Sequence, residues 1–212
     1  MTDLVFDCVE ASADRYSAVP ALTLRLRISE TSGGRVAAIA LRCQIRIEPQ
    51  RRRYSAEEAS RLHDLFGDTS RWADTVKPLQ LATVSTMVPS FVGSVDHDLP
   101  LPCTYDLEIA STKYFSALED GVIPLLLLYS GTVFAVDDGQ MSVRQVPWSK
   151  ESSFPLPVPV WRETVALHFP DSAWFRVSLE TMSALRSFKS ANALPTWDST
   201  LAALLARKDA SC

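Results

Sequence analysis

The side chains that could do chemistry are concentrated in two short stretches, Arg-Arg-Arg-Tyr at 51–54 and Arg-Trp at 71–72. Arginine, tyrosine and tryptophan are the residue types that dominate binding hot spots, and guanidinium groups pair with carboxylates. The two stretches therefore predict a surface that binds an acidic partner. The residues assigned to this surface are Arg46, Arg51, Arg52, Arg53, Tyr54, Arg71 and Trp72. The alternative is that the arginines only stack on the aromatic rings to cover a small core.

Sequence motifs for catalysis, metal binding or nucleotide binding are missing. The four cysteines, at 8, 43, 103 and 212, are too far apart for a paired metal motif, and we expect them to be small buried hydrophobes. The Asp-His-Asp sequence at 96–98 has metal-ligand residue types, but three adjacent residues do not converge easily on one ion. The chain has neither a glycine-rich phosphate loop nor the GxSxG turn of serine hydrolases. We therefore expect no catalytic residue, no metal and no cofactor.

Composition and charge exclude two classes of partner. Of the 212 residues, 47% are hydrophobic and 22% are charged, which is typical of a globular protein with a sizeable core. A net charge of −4 gives nucleic acid no overall attraction, and the longest apolar run, 122–136, is shorter than a membrane helix requires. The first residues include Asp3 and Asp7 and do not resemble a signal peptide, so we expect a cytoplasmic protein.

Two stretches alternate apolar and polar residues with the period of a half-buried β-strand. Alternate positions of 22–28 and of 39–47 are apolar, and Gly33-Gly34 between them suits a tight hairpin turn. The apolar faces then match in a register that pairs Ile28 with Ile39. The sequence therefore predicts that these two strands are hairpin neighbours.

The predicted hairpin places Arg25 opposite Arg42, and like charges that face each other are unfavourable. Residues 21–54 hold eight arginines against only two acidic residues, so acidic groups have to come from elsewhere in the chain or from a partner. One hypothesis is an internal row of ion pairs with Asp106 and Glu108 of a later predicted strand. The other hypothesis is an exposed basic surface that binds an acidic partner.

The fold class predicted from these patterns is α+β. Further strands are expected at 5–9, 79–88, 122–136 with a break near Gly131, and 142–148. Together the strands predict an antiparallel β-sandwich of about seven strands. A helix is inserted near 55–66, where Ser-Ala-Glu-Glu has the capping-box pattern. Two C-terminal helices, whose apolar stripes begin at Leu179 and Trp197, are expected to pack on the sandwich.

The expected division of the chain has a β-sandwich domain at 1–150 and a C-terminal part at 151–212. The second part includes a proline-rich segment at 154–159, in which alternating prolines are expected to prevent helix formation and sheet pairing. The segment is therefore predicted to be an extended linker that leads into the helical appendage. We expect both parts to form one compact unit.

Several longer strings of residues are specific enough to suggest a relationship. The first group is Cys-Gln-Ile-Arg-Ile-Glu-Pro at 43–49, Arg-Arg-Arg-Tyr at 51–54, Leu-Phe-Gly at 65–67 and Arg-Trp at 71–72. The second group is Val-Pro-Ser-Phe-Val-Gly at 88–93, Cys-Thr-Tyr-Asp-Leu-Glu at 103–108, Lys-Tyr-Phe at 113–115, the segment 124–134 and Val-Pro-Trp at 146–148. Together they resemble a bacterial family of unknown function whose genes are often found beside those of a high-affinity, actinobacterial-type nickel-iron hydrogenase.

The resemblance implies an accessory role in making, protecting or connecting that hydrogenase, and it supplies no catalytic residue. Our leading hypothesis is a non-enzymatic interaction or assembly factor whose partners are hydrogenase subunits or maturation proteins. One alternative is a small-molecule or metal-binding protein, or an enzyme, with a cleft between the sandwich and the C-terminal helices where Trp148, Trp161, His168 and Trp174 converge. The other alternative is a structural homo-oligomer in which a basic face meets an acidic one.

Overall fold

Two antiparallel β-sheets form a sandwich in the first of two compact units of the chain. The computed structural model describes residues 3–103, 109–137, 140–170 and 177–209. The first unit is Met1–Pro170 and the second is Asp171–Cys212. The predicted α+β class with an antiparallel sandwich is confirmed, with nine strands among the described residues.

The strands divide into two sheets, which we call sheet A and sheet B. The strands are β1 (Leu4–Ala13), β2 (Ala21–Glu30), β3 (Arg35–Ile47), β4 (Leu79–Val88), β5 (Phe91–Val92), β6 (Ser94–Pro102), β7 (Val122–Asp137), β8 (Gln140–Gln145) and β9 (Glu151–Pro157). Sheet A has the order β1-β2-β6. Sheet B has the order β4-β3-β7-β8, with β5 paired to β3 and β9 paired to β7.

Helices lie in the connections between strands and in the second unit. They are α1 (Ala56–Arg61), α2 (His63–Phe66), α3 (Trp72–Thr75), α4 (Ile109–Ala117), α5 (Val158–His168), α6 (Leu179–Ala191) and α7 (Trp197–Asp209). The helix expected near 55–66 is present as α1 and α2, and the capping box at Ser55 is confirmed. Within the described ranges, no helix is long and apolar enough to cross a membrane.

The apolar faces of β2 and β3 are buried as predicted, but the two strands are not neighbours. Alternate side chains of β2 from Leu22 to Ile28 are buried, and so are those of β3 from Ile39 to Ile47. However, β2 pairs with β1 and β6, whereas β3 pairs with β4, β5 and β7. The predicted hairpin is therefore wrong. Alternation identifies the buried face of a strand, and in a sandwich two such faces can pack across the core instead of side by side.

The arginines of β2 are paired with acidic residues of the neighbouring strands. Arg25 lies between Glu10 of β1, at 3.0 Å, and Asp98 of β6, at 2.9 Å. The Nε of Arg27 donates to Asp96 at 2.8 Å. The structure therefore contains internal rows of ion pairs, and the like-charge contact that the hairpin implied does not form. The acidic residues expected to take this part, at 106 and 108, lie outside the described residues.

The proline-rich segment expected to be a linker forms the end of strand β9, which pairs with β7, and the first two residues of α5. Pro155 lies opposite Pro124, and the neighbouring hydrogen bond runs from the backbone N–H of Val158 to the oxygen of Gly121. Because ladder hydrogen bonds recur at every second residue, the nitrogens of Pro155 and Pro157 face away from β7. The missing N–H groups cost no ladder bond at such an edge position. Alternating prolines exclude a central strand but permit an edge strand.

Strand β7 continues through Gly131, where the sequence predicts a break. The change occurs in the neighbouring strands, because β9 pairs with the first half of β7 and β8 with the second half. Gly131 has a φ of +138°, and a Cβ atom there would lie 2.0 Å from the backbone oxygen of Ala40 on β3. Glycine is therefore required for the close approach of β3 and β7.

We predict that Gly131→Ala lowers the free energy of unfolding by at least about 3 kcal/mol, because an unfavourable φ and a backbone collision act together. Gly33→Ala is the matched control. Gly33 also has a positive φ, +83°, but a Cβ atom there would have no neighbour within 4 Å, so we expect a loss of about 1 kcal/mol. Urea unfolding followed by circular dichroism measures both variants. Equal losses would contradict the close approach at Gly131.

Candidate functional site

Arg52 is the central side chain of the predicted arginine surface, and it is buried. Only 9% of its side chain is exposed. Its guanidinium donates to Glu58 Oε1 at 2.5 Å and to the backbone oxygens of Asp120 and Val122, each at 2.7 Å. These bonds join the segment after β3 to helix α1 and to the beginning of β7. Arg52 therefore holds the structure together and does not present its charge to a partner.

Glu58 is the buried counter-charge of Arg52, with 5% of its side chain exposed. Its carboxylate also accepts hydrogen bonds from the backbone N–H groups of Ser55, at 3.2 Å, and Glu119, at 2.9 Å. Burial alone would raise the pKa of Glu58, but these hydrogen bonds and the Arg52 charge outweigh burial and hold the pKa below its usual value. Glu58 is therefore ionised at neutral pH.

Tyr54 connects the arginine segment to a group of aromatic rings. The guanidinium of Arg52 lies 5.6 Å from the centre of the Tyr54 ring, and Trp72 packs edge-on against that ring at 5.2 Å. The Tyr54 hydroxyl donates to the oxygen of Pro49 at 2.7 Å and shares a 2.8 Å hydrogen bond with the hydroxyl of Tyr114. Burial raises the pKa of Tyr54 to about 12, so the hydroxyl keeps its proton at neutral pH. Tyr54 and Trp72 therefore cover a small core, which is the alternative considered above.

Arg51 and Arg53, on either side of Arg52, are exposed and border an open cleft of about 310 Å³. We call it the arginine cleft, and it is lined by Arg51, Arg52, Arg53, Gly121, Val122 and Pro124. Arg51 is held by an ion pair to Glu48 at 2.9 Å and by a hydrogen bond to Ser153 at 3.4 Å. Arg53 forms no ion pair with any residue in the part of the chain that the structure describes. The cleft therefore exposes two guanidinium groups to solvent, that of Arg51 beside its counter-charge Glu48 and that of Arg53 without a described counter-charge.

Of the other three residues assigned to the surface, Arg46, Arg71 and Trp72, only Trp72 contacts the segment 51–54. Arg46 projects from the outer face of sheet B, where its guanidinium donates to Gln44 at 3.3 Å. The indole N–H of Trp72 donates to the oxygen of Gly67 at 3.0 Å, which fixes the ring beside the end of α2. Arg71 is exposed, and no contact among the described residues joins it to the arginine cleft. The residues that the structure brings together are Arg51, Arg52, Arg53, Tyr54 and Trp72.

Sequence reasoning missed the residues that position the arginine cleft. The capping-box pattern identifies Glu58 as a helix cap and leaves its ion pair with Arg52 unassigned. The sequence does contain a signal for this ion pair. Helix α1 begins directly after the arginines, and such a helix brings the acidic residues of its first turn back towards them. Asp120 and Val122 contribute only backbone oxygens, and no residue type marks such a contribution in a sequence.

The alternative cleft is predicted to form where three tryptophans and a histidine converge. The described residues among them do not come together. Trp148, between β8 and β9, is 92% exposed, whereas Trp161 of α5 is buried against Phe115. His168 is hydrogen-bonded to a backbone oxygen 3.0 Å from its Nε2 atom. Trp174 lies outside the described residues.

Metal-ligand residue types are present but separate. Across 3–103, 109–137, 140–170 and 177–209, no group of three His, Cys, Asp or Glu side chains could hold a metal ion. His97, from the Asp-His-Asp sequence, is hydrogen-bonded to Thr86 at 2.9 Å. Burial raises the pKa of Cys8, Cys43 and Cys103 to about 12, so these thiols stay protonated at neutral pH.

The comparison with protein families gives a match over the whole chain, residues 1–212. The chain belongs to DUF6084, a family of unknown function. No curated protein matches the chain.

Two solved structures show a distant likeness to part of the chain. One is a β-glucosidase from Kluyveromyces marxianus, with 9% identity and a TM-score of 0.28, and the match covers 73% of this chain and 15% of that one. The other is β-glucosidase 3B from Thermotoga neapolitana in complex with α-D-glucose, with 13% identity and a TM-score of 0.25, over 73% of this chain and 17% of that one. The matched region therefore spans less than a fifth of either enzyme.

We predict that Glu58→Gln lowers the free energy of unfolding by about 3–5 kcal/mol at pH 7, because it leaves the Arg52 charge buried without a counter-charge. The pKa of Glu58 is lower in the folded than in the unfolded protein, so its carboxylate stabilises the fold fully above about pH 5. That contribution is lost as the pH falls through the folded-state pKa. The difference between wild type and variant should therefore shrink in acid.

Urea unfolding of both proteins at several pH values between 7 and 3 measures this difference. Glu57→Gln is the matched control, because Glu57 is the exposed neighbour of Glu58 in the same helical turn, and we expect a much smaller loss. A Glu58→Gln loss that stays constant from pH 7 to pH 3 would show that the ion pair does not act as described.

Proposed function

We propose that the chain is a non-enzymatic, cytoplasmic accessory protein that binds an acidic segment of a protein partner at the arginine cleft. The observation that carries this proposal is the construction of the cleft. The middle arginine of three is occupied by internal hydrogen bonds, while its two neighbours are exposed. Groups that are held in place before binding lose less conformational freedom when a partner binds. The anchored Arg52 thus prepares Arg51 and Arg53 for recognition.

The cleft combines positive charge with an apolar floor. Arg51 and Arg53 supply the charge, and Val122 and Pro124 supply the apolar surface. A guanidinium group can bind a carboxylate through two parallel hydrogen bonds. The cleft, of about 310 Å³, has room for one or two side chains of a protein segment, and its open shape does not enclose a ligand as small-molecule sites do. An acidic segment with an adjacent apolar residue suits both features.

We propose further that the partner is a subunit or a maturation protein of a nickel-iron hydrogenase. The support is the resemblance described above, together with the positions of the strings that carry it. Three of these strings, at 51–54, 71–72 and 113–115, supply side chains that contact one another around Tyr54. A fourth string begins at Pro124, which lines the cleft. Strings far apart in the chain thus meet at one place.

We predict that the double variant Arg51→Gln, Arg53→Glu lowers the recovery of the partner at least tenfold, because it removes both exposed charges of the arginine cleft. Arg51 is changed to glutamine because a glutamate there would repel the buried Glu48. The tagged full-length protein is purified from its native host grown under hydrogenase-inducing conditions. Quantitative mass spectrometry then measures each bound protein.

The matched control is Lys77→Glu, Arg186→Gln, which changes the net charge equally at two exposed positions outside the cleft. We expect it to retain the partner. Both variants should melt within a few degrees of the wild type. Equal recovery with the cleft variant and the wild type would overturn the assignment of the cleft. Loss of an acidic partner that is unrelated to hydrogenase would support the cleft and overturn the hydrogenase proposal.

A further inference from the structure

The arginines on the outer face of sheet A are in ion pairs, whereas those on the outer face of sheet B have no ion pair among the described residues. On sheet A the charged residues are Asp7, Glu10, Arg25, Arg27, Asp96 and Asp98, and both arginines are paired. On sheet B, Arg35, Arg42 and Arg46 of β3 lie on the outer face, and none of them forms an ion pair with a described residue. Glu151 is the one acidic residue with a described side chain on that face. Sheet B therefore presents uncompensated positive charge.

A shallow trough follows β3 on the outer face of sheet B. Its floor is formed by the small side chains of Ala38 and Ala40. Met87 on β4 lies opposite Ala40, and Phe134 on β7 lies opposite Ala38, so larger side chains border the floor on both sides. Val143 on β8 lies opposite Phe134 and extends that wall. We call these five residues the sheet B trough.

The walls of the trough are exposed apolar side chains. Met87 is 59% exposed and Val143 is 62% exposed. Met141, two residues before Val143 on the same face of β8, is also exposed. A contiguous patch of exposed apolar side chains indicates a binding surface, whereas single ones do not. Met141 and Val143 are such neighbours on β8, and the half-buried Phe134 continues the patch onto β7. The flanking arginines, Arg35 and Arg42, lie on β3 at either end of the floor.

We infer that the sheet B trough binds an acidic amphipathic α-helix of another protein. The walls are two strand spacings apart, about 10 Å, which is close to the diameter of an α-helix. Because of a bulge in β3, Arg35 and Arg42 lie opposite Val136 and Ser130, which are six residues apart on β7. The two arginines are therefore about 20 Å apart, a length equal to about 13 residues of helix. The apolar stripe of such a helix packs on the walls, and acidic residues towards its ends pair with the two arginines.

Other occupants match fewer of these features. A second copy would offer sheet A, where Glu10, Asp96 and Asp98 are already paired and Asp7 is the one acidic residue without an ion pair among the described residues. Two copies of sheet B would bring like charges together. The amphipathic helix α6 of this chain carries Glu180 against Arg186 and Lys189, so it is not acidic. A strand added at the edge of β8 would lie three strand spacings, about 14 Å, from β3 and its arginines. An acidic helix uses both the charge and the apolar walls.

The inference goes beyond the proposed function, because the trough shares no residue with the arginine cleft. Site-specific photo-crosslinking of the full-length chain in its native host tests it. Val143→p-benzoylphenylalanine places the cross-linker on a wall of the trough. Val5→p-benzoylphenylalanine is the matched control, because Val5 is also an exposed valine, on the outer face of sheet A.

We expect the Val143 position to cross-link at least tenfold more than the Val5 position. The captured segment should belong to another protein, with apolar residues at helical spacing and an excess of Asp and Glu. The charge-reversed variant Arg35→Glu, Arg42→Glu should lower the yield at Val143 at least tenfold. The conservative variant Arg35→Lys, Arg42→Lys should retain most of that yield.

Four results would each overturn the inference: equal yields at Val143 and Val5, cross-links between two copies of this chain, a captured segment without the acidic helical pattern, and an unchanged yield after charge reversal. Thermal unfolding shows whether the charge-reversed variant folds, and Arg35→Gln, Arg42→Gln replaces it if it does not. The arginine-cleft variant should leave the yield at Val143 unchanged. Failure of the proposed function and failure of this inference therefore give different results.

Discussion

The buried ion pair between Arg52 and Glu58 is the interaction on which the candidate site depends. Removing two charges from water costs several kcal/mol each, and only good geometry with additional hydrogen bonds offsets that cost. Here the terminal nitrogens of Arg52 have three acceptors, and the Glu58 carboxylate has two backbone donors besides the arginine. Moving either group would leave a buried charge unpaired. The ion pair anchors the chain at Arg52, between the exposed Arg51 and Arg53.

The sequence identifies which faces of the strands are buried more readily than which strands are neighbours. Alternation in β2 and β3 is a local property, and it correctly places Leu22 to Ile28 and Ile39 to Ile47 in the core. Pairing depends on groups far apart in the chain, such as Asp96 and Asp98, which lie beside the β2 arginines only after β6 has joined sheet A. The same limit applies to Gly131, since the Ala40 oxygen that excludes a side chain there belongs to another strand.

Prediction of the candidate site is limited for a related reason. Residue type correctly identifies the 51–54 segment as unusual, but type alone does not separate a charge offered to solvent from one used internally. Arg52 and Arg53 are adjacent and chemically identical, yet Arg52 is buried among backbone oxygens and Arg53 is exposed. Those oxygens come from the beginning of β7, about 70 residues away, where the chain turns at Gly121. Only the folded structure brings acceptor and donor together.

Net charge says little about either face of this sandwich. The total of −4 averages over sheet A, where acidic strands flank an arginine strand, and over sheet B, where arginines lie among polar and apolar neighbours. On sheet A the ion pairs are exposed, so they add little stability, but they satisfy the arginine charges and leave an acidic partner little to gain. On sheet B the β3 arginines have no such neighbours, and the side chains of β4 and β8 beside them are apolar at Met87 and Val143. Because each sheet contains its own arginine-bearing central strand, the acidic residues on β1 and β6 decide on which of the two faces the arginines are neutralised.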